Sequence, residues 1–190
     1  APTTFSIDTS LVKAGKRIRH NSEDLMIDFW VAAADAYIEK RTNRALMEQT
    51  LVLRLRKILP TVFLPRPPML SITHVKYTPE NGSEVTVDEA GYRESIDRMV
   101  TRLDIFEVPM LGRRGTMEIE YVAGATEPDH VPAPLRQASY LLAAHWLTSR
   151  EAAFMDPRIM NVSKKVVFGV DELTMEYRVP NGYTLNDDWS

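Results

Sequence analysis

The hydrophobic pattern changes period twice along this chain, and that limits the folds open to it. Across "SEDLMIDFWVAAADAYIEKRTNR", from Ser22 to Arg44, apolar residues recur at helical spacing, with Leu25, Phe29, Ala32, Ala33 and Ala36 on one face. In "QTLVLRLRKI" the period shortens: Leu51, Leu53 and Leu55 alternate with Val52, Arg54 and Arg56, the mark of a half-buried strand. Helical spacing returns at "VPAPLRQASYLLAAHWLTSR", where Leu135, Ala138, Leu142 and His145 or Trp146 form a long apolar stripe. A chain of 190 residues patterned this way is expected to be α+β. The expectation is a small, mainly helical bundle with a long helix over about 22–42, another over about 133–151, and short terminal helices. It carries an inserted β-rich lobe over about 46–124. Residues 1–178 read as a single domain and 179–190 as an extended C-terminal tail.

Local signals place the ends of these elements. Asn21 or Ser22 is positioned to cap the long helix, and Glu23 and Asp24 suit the positive end of its dipole. Lys40, Arg41 and Arg44 crowd its other end, and Asn43 is a natural stop. Ahead of it, "IDTSLVKAGKRIRH" reads as a short helix capped by Asp8, Thr9 or Ser10, with Leu11, Gly15 and Ile18 on one face and Gly15 weakening it. "LPRPP" cannot lie inside a helix or a central strand. Pro79-Glu80-Asn81-Gly82 turns one strand into the next, "YRESI" and "MVTRLDIF" are further short strands, and "GRRG" is a loop. "GTMEIEYVAG" is a strand with Met117, Ile119 and Tyr121 on one side. Pro132 and Pro134 open the second long helix, and "VDELTMEY" forms a short helix capped by Asp171.

The chemistry-bearing residues do not assemble into a motif. The chain has no cysteine, which removes disulfides, thiolate nucleophiles and cysteine-based zinc sites. His20, His74, His130 and His145 make no i, i+4 pair of the kind a helical metal site uses. "GRRG" lacks the lysine and the spacing of a phosphate loop, and no G-x-S-x-G elbow is present. No catalytic, metal-binding or cofactor-binding residue is predicted. His145 reads as a packed helix residue, and Asp187 and Asp188 as a solvated pair. A net charge of −3 and a pI near 5.9 do not fit a strongly basic nucleic-acid binder. No apolar run approaches a membrane span, and "APTTFSIDTS" has no charged-then-apolar signal pattern, so the expectation is a mature cytosolic product. Tyr183 and Trp189 stand in a polar tail that cannot bury them, which marks them as anchors for another surface.

The order of these pieces carries a resemblance. "YIEKRTNRAL", "LPRPPMLSI", "VPAPLRQASYLLAAHWLTSREA" and "VVFGVDELTMEYR" together resemble the head–tail connector proteins, also called adaptor or head-completion proteins, of long-tailed bacteriophages and related gene transfer agents. The resemblance runs from about Ser10 to Arg178. That family has "P-x-G-V" before its last helix, where this chain has "VVFGV", with Val167 in place of the proline. The resemblance implies a non-enzymatic subunit, made in a bacterial host's cytoplasm, that forms a homo-oligomeric ring, commonly of twelve copies. The ring sits beneath the portal at a capsid vertex, with the portal protein on one side and a stopper or tail-completion protein on the other. DNA passes through its channel without sequence-specific binding, and no membrane or cofactor is involved.

On that reading the portal-docking candidates are Arg178, Val179, Pro180, Tyr183, Leu185 and Trp189. A closed ring joins unlike faces of neighbouring copies. The inter-subunit candidates are therefore Lys40, Arg41, Arg44, Arg113 and Arg114 against the acidic Glu84, Asp88 and Glu89. Two other readings stay open: a different neck or tail-completion binding module without enzymatic activity, and an enzyme with a diffuse site of Asp, Glu and Arg residues.

Overall fold

A computed structural model describes residues 4–56, 60–79, 82–96, 100–106, 115–149, 166 and 169–180. Internal contacts divide the chain into two units. One joins Pro2–Thr42 to Ala125–Arg178 and is helical; the other spans Asn43–Gly124, with the chain from Val179 onward, and is built of strands.

The β unit follows from alternation. In β1 (Gln49–Leu55) the leucines point inward and Val52 and Arg54 outward. In β7 (Thr116–Ala123) Met117, Ile119, Tyr121 and Ala123 are buried, as the pattern predicted. The remaining strands are β2 (Thr61–Leu64), β3 (Met69–Thr78), β4 (Val85–Thr86), β5 (Tyr92–Ile96) and β6 (Thr101–Ile105). They pair antiparallel into a four-stranded sheet, β1-β7-β3-β4, and a three-stranded sheet, β2-β6-β5. Val62, Leu64, Leu103 and Ile105 from the small sheet share one core with Met69, Val75, Met117, Ile119 and Tyr121 from the large one. Two sheets burying their inner faces together make a body with its own core. The "mainly helical" expectation is therefore corrected: the β portion is a full half of an α+β chain.

Two backbone features hold this unit in register. Gly124 ends β7 at φ +106, and a Cβ there would meet the Met47 carbonyl oxygen at 2.1 Å, so only glycine fits. The Tyr121 hydroxyl donates to the Pro65 carbonyl at 2.6 Å, and burial raises its pKa above the usual phenol range. The "LPRPP" punctuator thus has a specific partner on the central strand. Before β4, Gly82 is at φ +87 and its N–H donates to the Pro79 carbonyl; Glu80 and Asn81 of the predicted turn lie outside the described residues.

The helical unit departs from expectation in which faces it buries. Helix α1 (Thr9–Lys16) is capped by the Asp8 carboxylate, which accepts from the Ser10 N–H at 2.6 Å. It stops at Arg17, which is left-handed at φ 57, so Ile18 falls outside the helix. Its buried residue is Val12. Helix α2 (Asp24–Thr42) ends at Asn43, also at positive φ, as predicted. Its buried side is Ile27, Val31, Ala34, Asp35, Ile38, Glu39 and Thr42, and the predicted Leu25–Phe29–Ala36 face is turned outward. Helix α3 (Ala133–Thr148) starts at a Pro-containing turn and buries Leu135, Ala138, Leu142 and Leu147. Helical residues are present at 166 and 169–175, so Asp171 lies within this last helix and does not cap it.

Candidate assembly surface

α2 packs along α3, and α1 touches both. Polar groups make the α1–α2 contact: Lys13 Nζ donates to the Asp24 carboxylate at 2.7 Å, and the Thr9 hydroxyl donates to Asp28. Asp35, at the centre of α2, is buried and accepts from the Ser6 N–H at 2.8 Å and the Ser6 hydroxyl at 2.5 Å. Burial raises its pKa, partly offset by the hydrogen bonds from Ser6. A buried carboxylate thus ties the N-terminal segment to α2. Trp146 of α3 lies 6.0 Å from Trp30 and 6.3 Å from Tyr37, ring centre to ring centre, which sets the aromatic side of the α2–α3 contact.

These polar contacts explain why α2 is turned as it is. Asp24, Asp28 and Asp35 are used inside the unit, and the apolar stripe is left over. Leu25 is 87% exposed, Phe29 59% and Met26 44%, with Ala36 exposed in line with them. Helix α1 behaves similarly: Leu11 is 52% exposed. Leu11 and Ala14 of α1 face Ala133 and Gln137 of α3 across an open cleft of about 620 Å³, which Gly15 and Tyr140 also line where they meet. Tyr140 lies against α1 because Gly15 has no side chain; a Cβ there would sit 1.8 Å from the Tyr140 hydroxyl.

The sequence-predicted site residues fall in different places. Lys40 is exposed at the end of α2. Arg41 and Arg178 both bind the Asp171 carboxylate, which draws them into the helical unit's own structure. Arg44 is buried, at 7% exposure. Glu84 pairs with Lys76 at 3.0 Å, while Asp88 and Glu89 are exposed around a short 3₁₀ turn. Val179 is buried and Pro180 exposed. Arg113, Arg114, Tyr183, Leu185 and Trp189 lie outside the described residues.

His145 is half-buried on α3, and burial first and the nearby Lys16 second lower its pKa. Among the described residues no group of three His, Asp or Glu side chains is placed to hold a metal ion, and no helix is long and apolar enough to cross a membrane. The sequence reading missed the α2 ridge and the α1–α3 cleft as surfaces. Their signal was present, but the same residues were read as core.

These features define an α+β chain whose helical unit, among the described residues, has exposed apolar side chains on α1 and α2. The family model of the head completion proteins matches residues 7–154, and the chain belongs to that family. Solved structures agree over nearly its whole length. A chain from the neck of an empty gene transfer agent particle, computed with C6 symmetry, is 27% identical with a TM-score of 0.75; the match covers 92% of this chain and 90% of that one. A chain from the virion of a native gene transfer agent particle is 25% identical with a TM-score of 0.75, covering 95% and 93%. A chain from the neck of a native particle, computed with C12 symmetry, is 27% identical with a TM-score of 0.69, covering 95% and 94%. No curated protein matches.

Proposed function

We propose that this chain is a structural subunit of the neck of a phage-like or gene-transfer-agent particle, without enzymatic activity. In this reading it closes into a homo-oligomeric ring, of twelve copies, between the portal and a stopper or tail-completion protein. The observation that carries the reading is the likeness to neck chains over nine-tenths or more of both partners, within the head completion family. The C6 and C12 symmetries of those necks fit a ring built from repeated copies.

The physical chemistry is compatible. Tight DNA binding requires many Lys and Arg contacts to phosphate, and a chain of net charge −3 does not supply a basic surface in bulk. Such a subunit can line a channel through which DNA moves without being gripped. Portal docking is assigned to the stretch from Arg178 onward, with Pro180, Tyr183, Leu185 and Trp189 as contacts. Val179 is buried and Arg178 is held by Asp171, so these two fix where the stretch leaves the described structure.

The test is electron microscopy of particles from a strain lacking the gene. DNA-packed or DNA-leaking heads beside free tails are expected. Normal tailed particles would overturn the reading. A chain truncated after Pro180, which keeps the buried Val179, is expected to stay folded and lose portal binding; retained binding would remove the docking assignment.

A further inference from the structure

We infer that neighbouring copies join head to tail, the α2 ridge of one copy seating in the α1–α3 cleft of the next. This deepens the ring reading above and rests on it. It names the two unlike surfaces that a closed ring needs.

The ridge is the outward side of α2. With about 100° of rotation per residue, Leu25, Phe29 and Ala36 line up on one side, and Ile27, Val31 and Ile38 lie roughly opposite, in the unit's interior. Leu25 is almost fully exposed, and Phe29 keeps more than half of its surface exposed while its ring meets Trp30 edge-on at 5.1 Å. Scattered single exposed hydrophobics are ordinary, but an aligned run that includes Leu25 at 87% and Phe29 at 59% is a contact surface.

The cleft is the concave counterpart. Its walls are mainly apolar: Leu11, Ala14 and Gly15 on one side, Ala133 and Tyr140 on the other. Its volume of about 620 Å³ is in the range of sites that enclose sizeable groups. On α1 the residues turned to α2 are Thr9 and Lys13. Leu11 and Gly15 lie some 160° round the helix from Lys13, counted at about 100° per residue. Ridge and cleft therefore occupy different sides of the helical unit, which is what repeated addition of copies demands.

Charge fits the same pairing. Lys40 is an exposed cation in line with the ridge, and the cleft is lined by the Asp8 and Asp129 carboxylates and by Arg136, which pairs with Asp129 at 2.6 Å and leaves the Asp8 carboxylate as the unmatched charge among the three. A ridge packed on its own copy would bring Lys40 against Lys40 or against apolar surface. A ridge in the cleft brings the cation towards the Asp8 carboxylate.

The chain has no cysteine, so introduced ones are unambiguous. Phe29 and Gln137 are both exposed, one on the ridge and one at the cleft. Particles carrying the Phe29→Cys/Gln137→Cys double variant are treated with a short bis-maleimide and run on a denaturing gel. A ladder of dimers, trimers and higher species is expected, with neither single variant giving one. Dimers from Phe29→Cys alone would mean like-on-like packing and overturn the inference. Incorporated but uncrosslinked double variant would overturn it too, leaving the neck reading intact. Absence of the unmodified chain from particles would instead overturn the neck reading.

A second variant guards against a double variant that is not incorporated. Phe29→Glu is expected to melt as the unmodified chain does and to be lost from particles. Its incorporation at the normal level would overturn the inference.

Discussion

The two units solve the problem of burial differently. In the β unit a residue's face follows from its position: Met117, Ile119 and Tyr121 alternate with Glu118 and Glu120, and the apolar set is the core. In the helical unit polarity and burial come apart. Asp35 and Glu39 of α2 are buried, while Leu25 and Phe29 stand in solvent. One unit spends its apolar residues on its own core; the other keeps some at the surface. In the assembly proposed above, that exposed side of the helices is the contact surface.

The contrast can be broken by substitutions of graded effect. Ile119→Ala, in the shared core of both sheets, is expected to cost about 2–5 kcal/mol of unfolding free energy. Chemical denaturation checks it, and a loss within about 0.5 kcal/mol would mean the two sheets do not pack as described.

Asp35→Ala leaves the Ser6 N–H and hydroxyl buried without their acceptor, for a loss of about 1–3 kcal/mol. Its pH dependence has a definite sign. Burial raises the Asp35 pKa above its ordinary 3.8, so the folded state holds its proton more tightly than the unfolded chain. Its contribution is fully present below that value and is lost as pH rises through the raised one. The stability gap between the unmodified chain and Asp35→Ala is therefore widest in acid and narrows as pH rises. A gap that widens with pH would contradict the assigned burial.

Tyr121→Phe removes one buried hydrogen bond to Pro65 and is expected to cost about 1 kcal/mol. No change in the denaturation midpoint would show that this bond does not hold the proline segment. Phe29→Ala sharpens the comparison from the other side: an exposed residue, it should change folding stability by less than about 0.5 kcal/mol while weakening assembly. A large folding loss would place Phe29 in the core after all.

The smallest effect is expected at His145→Gln. Burial and Lys16 lower the His145 pKa below 6.5, so the folded state disfavours its charged form. Its contribution is complete above pH 6.5 and declines as pH falls through the lowered value. His145→Gln should remove that decline, fold normally and still assemble. A particle defect in this variant at neutral pH would give His145 a role beyond packing.

How much of this was legible in the sequence depends on the element. The strands other than β2 (Thr61–Leu64), which was missed, were readable from alternation and turn residues, and the Asn43 stop and the proline start of α3 because backbone geometry decides them. The α+β class was readable from the change of period, although the weight of the β half was not: short strands such as Val85–Thr86 give little sequence signal, and pairing into two sheets is long-range.

The buried face of α2 was not legible because both of its sides are apolar. Ile27, Val31, Ala34 and Ile38 compete with Leu25, Phe29, Ala33 and Ala36, and the choice is made by partners elsewhere: Lys13 and Thr9 on α1, and Ser6. The charged candidates were legible as charges but not as contacts. Arg41 and Arg178 are taken up by Asp171, a pairing between distant segments that no local pattern shows. The apolar stripes Leu25–Phe29 and Leu11–Gly15 were legible as stripes, but their exposure was not.

A symmetry-averaged reconstruction of the neck from particles carrying this chain tests the central claim most directly. The account predicts a closed ring of this subunit between portal and stopper, with Leu25 and Phe29 buried against α1 and α3 of the adjacent copy. A neck without this chain, or a ring in which Phe29 faces solvent, would contradict it.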